Sequence, residues 1–157
     1  MKTILRFIIS ICLIVWLGGI FFFAINMAPN VFNVLSNVEG GTEYAGFIIA
    51  HSINGLHTMG LICGCVLLLA SAILHKKVFR LENLLIIAML LLTFASRNYI
   101  TPRMESIRNS VARLDQLPAN SDRRLEFDRL HVWSTRVEGS VLFFGFLVIG
   151  FESKREE

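Results

Sequence analysis

Charge is what this sequence lacks over its longest stretch. From residue 47 to 74 there is no Lys, Arg, Asp or Glu, and the only basic side chains are the histidines His51 and His57. The stretch is longer than the ~20 residues a helix needs to cross a bilayer, so those two histidines are expected inside a membrane. Lysine is missing between Lys2 and Lys76, and the connection 30–45 has neither Lys nor Arg. The 3 cysteines, Cys12, Cys63 and Cys65, all fall in apolar runs. Two residues apart on a helix, Cys63 and Cys65 point to nearly opposite sides, which excludes a shared disulfide or joint chelation and leaves small core residues. No nucleophile triad, phosphate-binding loop or carboxylate pair at enzymatic spacing appears, nor any internal repeat. Nothing here signals an enzyme.

With 157 residues, 54% of them hydrophobic, and a mean hydropathy of +0.61, the chain is too apolar for a soluble domain. It is long enough for four spans and one sizeable loop. The reading is an all-α integral membrane four-helix bundle, a single domain over 1–157, with spans at about 4–27, 44–74, 83–101 and 130–151. The charged start and apolar run at the N-terminus resemble a secretory signal, but the run continues to Ile25 with no small-x-small site, which favours an uncleaved span. Asn26 and Pro29 mark its far end, and Pro102 interrupts the third span. In the loop 102–129, Met104, Ile107, Val111 and Leu114 recur at three- and four-residue steps. They predict an amphipathic helical extension, lying on the membrane surface or continuing the third span into water.

The net charge of +3 belongs mostly to residues flanking apolar runs, where they orient helices, so the partner is the lipid bilayer and nucleic acid is not expected. All lysines fall on the side of both termini, which places those termini in the cytoplasm. The basic count alone is a tie, since the loop between the third and fourth spans holds as many arginines, interleaved there with acidic residues.

Counting ~1.5 Å of rise per residue brings polar groups of all four spans into one half of the bilayer, leaving the other half almost purely apolar. Asn26 belongs to the first span; His51, Asn54 and His57 share one arc of the second; Arg97 lies on the third. His131, Ser134, Arg136 and Glu138 are on the fourth. His131, Ser134 and Glu138 share a face, with Arg97 the expected partner of Glu138 across helices and Arg136 directed outward or toward Asp128. Such groups are costly in a membrane and are either functional or fasteners of helix register. As a site, they would bind or transfer haem, a metal ion or a small polar solute. His57 and His131, with His51 as substitute, could ligate the iron of haem b or another transition metal. A chain through His57, Glu138 and Arg97 could move protons. As fasteners, they would make the protein a structural or accessory subunit, docking a membrane partner or a second copy through Trp16, Gly18, Gly19, Gly60 and Gly64.

Several motifs occur together: Trp16-Leu-Gly-Gly19, Phe22, Ala28-Pro29-x-x-Phe32, Gly46 and His57, Pro102-x-Met104 with Arg108, and Phe127-Asp128-x-Leu130-His131-x-x-Ser134. In this order they resemble the bacterial four-span membrane family of unknown function related to eukaryotic transmembrane protein 205, which implies a four-helix membrane domain and no established reaction. More distantly, the segment from Trp16 to Pro29 is similar to the start of the copper-resistance D proteins and of the haem-dependent four-span protoporphyrinogen oxidases. Those oxidases ligate haem through a first-helix histidine ahead of the tryptophan. No histidine occurs over 4–25 here, so the resemblance carries the fold and not the activity.

Overall fold

The computed structural model describes residues 2–75, 80–111 and 113–153. The basic turn expected at Lys76 and Lys77, and the closing Lys154 and Arg155, lie outside them. Four helices are long and apolar enough to cross a membrane: α1 (Lys2–Leu35), α2 (Gly41–His75), α3 (Leu81–Asn109) and α4 (Asp122–Ser153). A single 3-10 turn, Leu114–Gln116, lies between α3 and α4, and no strand forms among the described residues. α1 packs on α2, α2 on α3 and α3 on α4, and a lighter contact between α1 and α4 closes the ring. The result is an all-α four-helix bundle of up-down-up-down order.

Neither proline ends its helix. A helical proline lacks the N–H that would bond four residues back, and its ring presses on that carbonyl. α1 and α3 relieve this in the same way, with one widened turn immediately before the proline: Phe23–Met27 ahead of Pro29 and Ser96–Ile100 ahead of Pro102. The Ala28 amide bonds back to the Phe23 carbonyl, and the Thr101 amide to that of Ser96, each five residues away, and both helices then run on. The amphipathic segment after Pro102 is therefore the third span itself, continued to Asn109.

The α1–α2 connection is short because glycine allows it. Gly40 adopts φ +70°, in the left-handed region, and a Cβ on Gly41 would collide with the Leu35 carbonyl.

Trp16, 1% exposed, anchors the core. Its indole fills the space over Gly60 and Gly64: a Cβ on Gly64 would lie 2.7 Å from the ring, and one on Gly60 would meet the indole nitrogen. Both glycines serve contact within the bundle rather than an external interface. Leu67, Ile86, Met89, Val141 and Val148 are buried around this point. Outside, Ile14, Phe21, Ile62, Leu69, Leu91 and Phe143 are exposed, as suits side chains facing lipid. The half expected to be almost purely apolar does contain polar groups near its far margin. There the Ser71 hydroxyl donates to Asn83 Oδ1 at 2.7 Å, both residues buried, and buried Glu82 lies 3.5 Å from Arg80 Nε.

Candidate functional site

The helical face of α2 toward α4 carries His57, buried to 1% exposure. Its Nε2 lies 2.7 Å from Oε1 of Glu138, whose side chain is 14% exposed. The pair joins residues 81 positions apart in the chain. Two protonation states satisfy the contact: an imidazole N–H donating to a carboxylate, or a protonated carboxyl donating to the ring nitrogen. Either way one proton lies between them. The other ring nitrogen, Nδ1, is buried with no hydrogen-bond partner, as are the hydroxyls of Thr93 and Ser96 on α3. Buried orphan polar atoms are rare and costly, and these three lie on two adjoining helices.

One residue further along α2, the face turns to α3. Thr58 donates its hydroxyl to the Asn54 carbonyl at 2.9 Å and accepts from Arg97 at 2.6 Å. Arg97 is thus held by a neutral hydroxyl and is not within ion-pair distance of Glu138, whose partner is His57. The expected Arg97–Glu138 pair does not form because depth along a helix sets which groups share a layer, while rotation about the axis sets which of them meet. Thr58 was absent from the sequence-based layer, although its four-residue step from Asn54 is a legible signal.

The remaining candidates separate from this centre. Ser134 is buried one turn from Glu138, and Asn54 is half-buried behind Thr58. Asn26 is exposed on α1 and accepts a bond from the Asn30 amide at 3.2 Å. Arg136 is exposed and stacks over Trp133 at 5.5 Å rather than reaching Asp128. His131 is exposed, and the seven-residue step to Glu138 that gives it the same face also sets it ~10 Å along the axis. His51 is exposed as well and lines a separate cleft with Arg108. The structure therefore brings His57 to Glu138 and not to His131 or His51. No group of three or more His, Cys, Asp or Glu arranged to hold a metal ion occurs among the described residues.

Four apolar helices enclosing a buried ionisable pair define a multi-pass membrane protein with a polar centre inside its bundle. Residues 11–112 match the domain of unknown function DUF4149, and the chain belongs to that family. No curated protein and no solved structure matches the chain. The matched stretch holds Trp16, both its glycines, His57, Thr58 and Arg97, whereas Glu138 lies beyond it on the fourth helix.

Proposed function

We propose that the protein binds or transfers a small polar species at the His57–Glu138 pair, and that the species the geometry favours is the proton. The observation that carries this is the pair itself: two ionisable side chains 2.7 Å apart inside an apolar bundle, with the second ring nitrogen still unpartnered. A proton held there leaves Nδ1 available to accept or release another, and the unpartnered hydroxyls of Thr93 and Ser96 on the adjoining helix are groups of the kind that relay protons. The lysines at positions 2, 76, 77 and 154 support an orientation with both termini cytoplasmic.

A second reading makes the layer a fastener of helix register. The Ser71–Asn83 bond favours it, since that contact joins helices with no ionisable group at all.

Proteoliposomes with an entrapped pH dye, driven by a potassium diffusion potential, separate the two. Proton entry faster than in empty vesicles, lost in Glu138→Gln and His57→Phe variants that still fold as four-helix bundles, supports transfer. Wild-type flux equal to that of empty vesicles leaves the fastener.

A further inference from the structure

Arg108 is the one arginine quoted in the sequence motifs, and the polar centre gives it no task. It comes from the end of α3, is half-buried, and spans three helices. One of its terminal N–H groups donates to the Gly46 carbonyl on α2 at 2.8 Å. The guanidinium carbon lies 5.7 Å from the ring centre of Phe47, also on α2, and 5.5 Å from that of Phe127 on α4. Gly46 makes this seat: a Cβ there would stand 2.9 Å from the guanidinium. Two aromatic rings and a carbonyl hold the cation but do not neutralise it. Glu43 and Glu105 act on it electrostatically, yet neither comes within the 4.0 Å of an ion pair. The remaining guanidinium donors are left for another acceptor.

That acceptor has a place. Arg108 lines a cleft of about 250 Å³ with Phe47, Ala50, His51, Glu105 and Asn109. The cleft presents a planar donor fork and an amide beside one carboxylate, and among the described residues that carboxylate makes no hydrogen bond or ion pair. A simple anion would gain from Arg108 and be repelled by Glu105; a cation would meet the reverse. A zwitterion whose negative end reaches Arg108 while its ammonium reaches Glu105 satisfies both. Depth selects the negative group. From Leu81 to Arg108 the helix rises ~40 Å, which matches a bilayer counted with its headgroups, so the cleft lies in the phosphate layer.

We propose that this cleft binds a phosphoethanolamine group, with Arg108 and Asn109 on the phosphate and Glu105 on the primary ammonium. The group arrives as the headgroup of a phosphatidylethanolamine lipid or as a free phosphoethanolamine. The site is separate from the His57–Glu138 pair and does not depend on its role.

Native mass spectrometry of the detergent-purified chain tests it, with phosphatidylethanolamine, phosphatidylcholine or phosphatidylglycerol added in separate samples. A one-to-one phosphatidylethanolamine adduct at least five-fold more abundant than either of the others is expected. Choline offers no N–H to Glu105, and glycerol brings no positive charge. Glu105→Gln should reduce that adduct to the phosphatidylcholine level, and Arg108→Lys should weaken all three. Should Arg108→Lys fail to fold, Glu105→Gln carries the test, because among the described residues that carboxylate makes no hydrogen bond or ion pair that holds the helices. Free O-phosphoethanolamine, titrated in a second arm, identifies a soluble source if it displaces the lipid and a lipid-only source if it does not. Equal adducts of all lipids with no binding of free O-phosphoethanolamine would overturn the proposal, as would a preference that survives Glu105→Gln.

Discussion

Two contacts of the same length tie this bundle together, one near the α2–α3 turn and one midway along its helices. Near the turn the Ser71 hydroxyl meets Asn83 at 2.7 Å; midway along α2 and α4 His57 meets Glu138 at 2.7 Å. The first is neutral, links adjacent helices 12 residues apart in sequence, and leaves both named atoms satisfied. The second joins α2 to α4 through two groups that can each carry a charge, and leaves Nδ1 with nothing to bond. Equal distances therefore conceal unequal chemistry. A hydroxyl–amide bond can only hold helices, whereas a histidine–carboxylate contact also stores a proton.

That contrast can be broken or sharpened by substitution. The largest effect is expected from Glu138→Ala, which leaves a buried imidazole with neither nitrogen bonded and should cost up to about 3 kcal/mol in an equilibrium unfolding measurement in bicelles. If the Glu138→Ala/His57→Ala double variant is no less stable than either single one, the two side chains act as a unit; simple additivity would deny the pairing. Gly64→Val comes next. Its side chain would enter the space of the Trp16 indole and should destabilise by about 1–3 kcal/mol, a loss that Trp16→Leu in the same chain should partly recover. Asn83→Ala should cost only about 1 kcal/mol and leave proton flux in vesicles unchanged. A cost equal to that of Glu138→Ala would erase the distinction between the two contacts. The smallest effect belongs to Glu126→Ala. Its 2.7 Å pair with Arg103 is so exposed on both sides that removal should change stability by less than about 0.5 kcal/mol after screening, within the scatter of thermal melts at high salt.

The spans were legible because nothing except membrane burial accounts for an uncharged run such as 47–74, and His57 stood out against that background. Less legible was its partner. Residue counting gave the depths of Arg97 and Glu138 correctly enough to place them in one layer, but the azimuth of each helix depends on packing such as Trp16 into Gly60 and Gly64. That rotation delivers His57 to Glu138 and Thr58 to Arg97. His131 illustrates the complementary error: a seven-residue step preserves its face, yet moves it two turns away from Glu138. Both prolines were visible as well. Their consequence was not, because a hydrogen bond reaching five residues back lets the helix absorb a residue that would otherwise end it.

The Trp16 interlock has a consequence for how such a chain can drift. A bulky indole on one helix and two absent side chains on another form one unit of inheritance: either glycine can grow only if the indole shrinks, and the indole can shrink only by opening a hole. Relatives should therefore change at positions 16, 60 and 64 together or not at all. A sequence carrying Trp at the first and a large residue at either of the others would belong to a bundle whose first two helices cross differently.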